Sequence, residues 1–171
     1  LLFSSYTLRG ITFPNRIVIS PMQMYKTGPD GLATLWHFQH LAKYAIGGAG
    51  TVMTEALIVD PVGRNTYGDC GIWSDNHIAP LRDIVDILHG ENIVAAAQLH
   101  HAGPKASRQC PWEGLGPLGD AEAAKGDGAY SSVSDMASKK LSAAANYIGA
   151  VFGAPAPAPA RRKPAPRPPP G

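Results

Sequence analysis

Three short runs in this sequence hold side chains that could do chemistry together: Ser20-Pro21-Met22-Gln23-Met24-Tyr25, Glu55-Ala56 and Gln98-Leu99-His100-His101-Ala102-Gly103. Each closes or follows an apolar, strand-like stretch. Any one of them alone is ordinary loop polarity; three at the same ends of three strands make a candidate site. They supply amide and hydroxyl hydrogen bonds beside apolar surface. Gln98 can donate and accept at once, which suits a planar heteroaromatic ring with alternating N–H and C=O groups, and Met22 and Ala56 are placed to lie near such a ring. Groups of this kind position and tune a cofactor, while the cofactor carries the reaction. There is no GxSxG, and no Ser/His/Asp set can be placed, so a catalytic triad is not expected. His100 and His101 leave a strand as neighbours and point to opposite faces, so packing or hydrogen bonding is expected of them and a metal site is not.

The elements that must hold these runs follow from periodicity. Tyr6 to Phe13 reads as a hairpin turning at Arg9-Gly10, because glycine accepts the positive φ such turns need. Arg16 to Ser20 reads as a strand ending at Pro21, apolar enough for burial on both faces. Thr34 caps a helix to about Ile46 with Leu35, Phe38, Leu41, Ala42 and Ala45 as its stripe, and Gly47-Gly48 stops it. Thr51 to Thr54 is a second strand, followed by a long loop from Ala56 to Trp73. Ser74-Asp75-Asn76 caps a second helix with Pro80 in its first turn and Ile78, Leu81, Ile84, Val85 and Leu88 as its stripe. Ile93 to Gln98 is a third strand. Alternating strands and helices predict a parallel sheet with both helices on one side. A doubly wound sheet and a (β/α)₈ barrel can both start this way. No GxGxxG follows the first strand, which favours the barrel, whose active sites form at the carboxyl ends of the strands.

Composition bounds the rest. The 171 residues are 44% hydrophobic and 16% charged, with a net charge of +2, the length of one domain and no global electrostatic case for nucleic acid or an anionic membrane. Cys70 and Cys110 make neither a disulfide framework nor a metal-ligand spacing, so a reducing, cytoplasmic setting is expected. No apolar run approaches the ~20 residues of a membrane span. The composition shifts near Gly119. From Ser131 to Gly153, Val133, Met136, Leu141, Ala145, Ile148 and Phe152 recur at helical steps. Residues 154–171 read as a Pro/Ala/Arg-rich disordered tail. The expected organisation is therefore the N-terminal part of a barrel over 1–119, an unassigned segment with one helix over 120–153, and the tail.

The run from Leu2 to Gly114 resembles the N-terminal part of the Old Yellow Enzyme family of NADH:flavin oxidoreductases, in its thermophilic-like branch. The carrying motifs are Tyr6-Thr7-Leu8-Arg9-Gly10, Pro14-Asn15-Arg16-Ile17-Val18, Ser20-Pro21-Met22, Asp30-Gly31-Leu32-Ala33-Thr34, Gly48-Ala49-Gly50, Met53-Thr54-Glu55-Ala56, Gly71-Ile72-Trp73-Ser74-Asp75, Gln98-Leu99-x-His101-Ala102-Gly103 and Pro111-Trp112-Glu113-Gly114. The resemblance implies an α/β fold, a partial TIM (β/α)₈ barrel consisting of a hairpin and about three βα units. It implies FMN as cofactor, NAD(P)H as reductant and an enone-like substrate whose activated C=C bond is reduced, in a chain that also pairs into homo-oligomers. By position, Ser20, Pro21, Met22 and Gln23 contact the isoalloxazine largely through main chain, Ala56 lies by the ring, Gln98 bonds its pyrimidine edge, and Tyr25 reaches the substrate pocket as the catalytic side chain.

The sequence departs from the family at three places. Gln23 stands where this branch commonly has Cys, Pro104 follows His-Ala-Gly where Arg is usual, and His100 replaces a small residue. After Gly119 no family motif is found, so the chain reads as an N-terminal fragment. Two other readings of that seam are a catalytically inactive product of a frameshift or mis-joined gene, and an interaction module whose Pro-rich tail docks an SH3- or WW-type groove.

Overall fold

The computed structural model describes residues 1–118 and 151–152. The chain opens with an antiparallel hairpin, β1 (Tyr6–Leu8) and β2 (Ile11–Phe13), in register Tyr6↔Phe13. Arg9 and Gly10 both take positive φ, +49° and +83°, the two-residue turn whose twist matches that of the strands. Tyr6 stacks on Phe13 with ring centroids 4.7 Å apart, and the Thr7 and Thr12 hydroxyls meet at 3.0 Å.

A second, parallel sheet has the order β3–β4–β5, with β3 Val18–Ile19, β4 Thr51–Ile58 and β5 Val94–His100. Helices α1 (Leu35–Ile46) and α2 (Ile78–Gly90) connect them, so the βαβαβ order expected from periodicity is present. Strand lengths differ from expectation in an instructive way. β3 is short: Arg16 donates to the carbonyls of Leu1 and Ser4 at 2.8 and 2.7 Å, and Pro21 has no N–H to extend the ladder. Val18 is 51% exposed, so the burial on both faces expected of this strand is not found. β4 is long: with partners on both sides it continues past an irregularity between Met53 and Ala56, pairing Ala56 with Gln98 and Ile58 with His100. Residues 56–58, expected in a loop, are thus strand.

One face of the sheet carries the core. Leu41 and Ala45 of α1 and Leu81, Ile84, Val85 and Leu88 of α2 pack with Val52, Leu57 and Ile93. Each Leu, Ile or Val among them removed from water contributes about 1.5–3 kcal/mol. The α2 stripe is as periodicity predicts. The α1 stripe is shifted: Leu35 is 69% exposed, and His37 is buried instead. Val151 is buried in the same core, with Phe152 against it, and both are helical. The remainder of the helix expected over 131–153, and the tail over 154–171, lie outside the described residues. No helix among the described residues is long and apolar enough to cross a membrane.

Candidate functional site

Side-chain alternation along a strand assigns each residue to one face of the sheet. Ala95, Ala97 and Leu99 of β5 pack toward the helices, so Gln98 and His100 take the opposite, uncovered face. Val52, Leu57 and Val59 are core residues, so Ala56, paired with Gln98, takes the uncovered face too. Ile17 and Ile19 pack on the core, and Ser20, just beyond β3, lines the space beneath α1. Ala56 and Gln98 therefore share one bare face, near the carboxyl ends of two adjacent parallel strands, while Ser20 follows the neighbouring edge strand on the helix side. Ser20 and Gln98 are exposed and Ala56 is nearly covered. The Gln98 amide makes no side-chain hydrogen bond within the described residues, so both its donor and its acceptor are available.

The segment after β3 is tied down at several points. Met24 N–H donates to Glu55 Oε2 at 2.8 Å. Thr27 N–H donates to the Gly68 carbonyl at 3.3 Å, and its hydroxyl to the Asp69 carbonyl at 3.0 Å. Tyr25 is held at φ +56°. A Cβ on Gly68 would come within 2.9 Å of the Tyr25 carbonyl oxygen, so the close approach of these two segments requires glycine. The Tyr25 ring meets Trp112 edge-on at 6.1 Å. Burial pushes its phenol above the ordinary value, with the nearby Asp69, Cys110 and Glu55 adding to the effect, so the hydroxyl stays protonated and able to donate. Met22 is 65% exposed. The half-buried Gln23 turns its amide toward Asp69 without a well-aligned bond from Nε2. What Gln23 can offer a ring is its main chain.

Asp69 is fully buried. It accepts from Asn65 N–H at 2.6 Å, Thr66 N–H at 3.2 Å and the Thr66 hydroxyl at 3.0 Å. Burial raises its pKa, and these hydrogen bonds partly offset the rise. His101 lies over Gly63, where a Cβ would come within 2.5 Å of the ring, and its Nδ1 accepts from Gly103 N–H at 3.0 Å. It packs and accepts, as expected. His100, on the Gln98 face, pairs with Ile58.

Two further features lie beside the predicted site. A cavity of about 250 Å³ opens between α1 and the β3–β4 edge, lined by Val18, Met24, Trp36, Tyr44 and Met53 among others. It includes Ser20 and Met22 but neither Ala56 nor Gln98, so it is the space α1 leaves over the short β3. His37 Nε2, Glu55 Oε1 and Cys70 Sγ lie within 4.8 Å of one another. Thr34 N–H donates to His37 Nδ1 at 3.0 Å, which leaves the hydrogen of the neutral ring on Nε2. That nitrogen then has no lone pair for a cation. Burial, with Glu55 adding to it, also raises the Cys70 thiol.

Sequence reasoning missed His37, Asp69 and Trp112 as parts of this neighbourhood. His37 had a signal: it sits three residues after the cap Thr34, where a capping box places a side-chain acceptor. Asp69 had none, because its partners become neighbours only once the 60–70 loop folds.

The profile of the NADH:flavin oxidoreductase / NADH oxidase family matches residues 1–145. The chain belongs to this family. The match runs past Gly119, where the recognisable motifs stop, so the expectation of no family likeness beyond that point is corrected. The NADPH dehydrogenase of Listeria welshimeri is 47% identical over 106 residues, covering 61% of this chain and 31% of that protein. The chain thus spans about a third of the length of the curated relatives it matches. Morphinone reductase, solved in complex with tetrahydroNAD, superposes with a TM-score of 0.57 at 26% identity, covering 62% of this chain and 28% of that one. Old Yellow Enzyme from Pichia sp. AKU4542 superposes with a TM-score of 0.70 over 89% of this chain and 43% of that one; at 18% identity the likeness is one of fold. Membership of this flavin oxidoreductase family implies FMN as the cofactor. The bare face fits a flavin: the unpartnered Gln98 amide is complementary to a ring edge, and beside it Ala56 has only a methyl group where a longer side chain would fill the space.

Proposed function

We propose that this chain is the N-terminal part of an FMN-dependent NAD(P)H oxidoreductase of ene-reductase type, with residues 1–119 contributing the first strands of a TIM barrel. What FMN supplies when bound is hydride chemistry, taken from NAD(P)H and delivered to the activated C=C bond of an enone-like substrate. The chain's own residues bind and orient. Ser20, Pro21, Met22 and Gln23 offer main-chain groups and apolar contact to the ring. Ala56 keeps the sheet surface low enough for a flat ring to approach. Gln98 donates to and accepts from the pyrimidine edge. Tyr25, protonated and braced by Trp112, presents its hydroxyl to the substrate. The working assembly is a homo-oligomer, and the setting is the cytoplasm.

The observation that carries this reading is the pairing of Ala56 with Gln98 on one uncovered sheet face. It is tested by the visible absorption spectrum of the purified chain after incubation with FMN and desalting. The expected result is a retained flavin band for the parent chain and roughly tenfold weaker retention for Gln98→Ala, the loss of about one to two ring-edge hydrogen bonds. A colourless parent chain would refute it.

A further inference from the structure

The carboxylate of Glu55 stands between two donors from distant parts of the chain. On one side Met24 N–H donates to Oε2 at 2.8 Å. On the other, His37 Nε2 lies 2.8 Å from Oε1. That second contact falls outside hydrogen-bond geometry, so it places an N–H dipole beside the carboxylate. Glu55 and His37 are 5% and 4% exposed, so water cannot substitute for either partner. The direction of each link is set by the one before it. Thr34 N–H donates to His37 Nδ1, which puts the ring hydrogen on Nε2, the ring nitrogen nearest Glu55. Both neighbours of the carboxylate are therefore donors, and a side chain of this length with two acceptors is glutamate. The Thr34 hydroxyl also donates to the Lys26 carbonyl at 3.3 Å. The first turn of α1 and the middle of β4 thus grip the 24–26 main chain from two sides.

We propose that Thr34, His37 and Glu55 form a positioning relay that sets the main chain of residues 20–26 to receive the flavin. This rests on the flavin reading above and adds the residues that hold the site's main chain in place. None of the three touches the ring in this scheme; His37 and Glu55 are positioning residues, acting through Met24. The relay explains why a histidine is buried in an otherwise apolar helix stripe, and why an acid interrupts the central strand.

The test uses the full 171-residue chain, with two readouts: amide hydrogen exchange and FMN affinity by absorbance titration. Glu55→Gln replaces one acceptor by a donor, so an N–H must face an N–H. Exchange at Met24 is expected to accelerate about tenfold or more, with the α2 amides unchanged, and FMN affinity to fall by about tenfold. His37→Gln keeps a donor at the Nε2 position and is expected to retain most of the Met24 protection. His37→Leu loses the donor and is expected to match Glu55→Gln. The two His37 variants both remove the ring from the cap, so a purely structural role would affect them alike. Equal Met24 exchange in the two His37 variants would overturn the relay, and so would unchanged exchange in Glu55→Gln. If Glu55→Gln does not fold, the His37 pair decides. A parent chain that binds no FMN would sink the flavin reading while the exchange data still decide the relay's grip on the loop. FMN affinity unchanged in His37→Leu despite faster Met24 exchange would overturn the relay's link to the flavin.

Discussion

The two faces of the β3–β4–β5 sheet have been put to different uses. The covered face is dry: Val52 and Leu88 are 0% exposed, Leu57 is 1% exposed, and Leu81 and Ile84 are 2% exposed. The bare face presents Gln98 to solvent beside the small Ala56. The covered face holds the apolar area whose burial opposes the entropy of ordering the chain. The bare face holds unpaired polar groups, each of which is available to a ligand because it contributes little to folding. The comparison sets a face that stabilises the fold against a face left open, and it can be broken or sharpened by substitution.

The largest effect is expected on the covered face. Leu88→Ala should lower unfolding free energy by about 2–5 kcal/mol, read from urea denaturation. If it costs no more than the bare-face variant Gln98→Ala, the contrast between faces fails. Gly71→Ala should cost about 1–3 kcal/mol by the same measurement, since its Cβ would run into the Trp73 ring and come within 2.7 Å of His77 Nε2. The third prediction concerns pH. Burial lowers the pKa of His77, partly offset by hydrogen bonds to the Ser74 and Asp30 main chain. Its contribution to stability is fully present above its unfolded value of about 6.5 and is lost as pH falls through the lower folded value. The parent chain should therefore lose stability between neutral pH and pH 5 more steeply than His77→Gln. Identical slopes would show that His77 is not the group responsible. Asp69 has the opposite sign, since burial raises it: its contribution is present below about pH 3.9 and is lost as pH rises through its folded value. The smallest effect is expected at the exposed edge, where Val18→Thr should change stability by no more than about 0.5 kcal/mol. A larger cost would mean that β3 is better covered than its 51% exposed valine indicates.

Legibility in the sequence tracked how local each feature is. The hairpin at Arg9-Gly10, the α1 cap at Thr34 and the α2 stripe were all readable, because turn chemistry and helical spacing act over a few residues. The runs around Ser20, Ala56 and Gln98 were readable as candidates because each lies near the carboxyl end of a strand, and the carboxyl ends of parallel strands lie together at one end of the sheet. The lengths of β3 and β4 were not, because pairing depends on what lies alongside: β4 gains four residues by pairing on with β5, and β3 loses its ends to Arg16 and Pro21.

By itself the sequence determined the order of elements, the sheet type, the family and the placement of the three candidate runs near the carboxyl ends of the strands. Only the tertiary structure decided that Glu55 joins Met24, 31 residues away, that His37 turns inward while Leu35 turns out, and that Gln23 leans on Asp69. The physical reason is one of range. Periodicity reports which face of an element is apolar, whereas a buried carboxylate's partners are fixed by which donors the folded chain brings within about 3 Å.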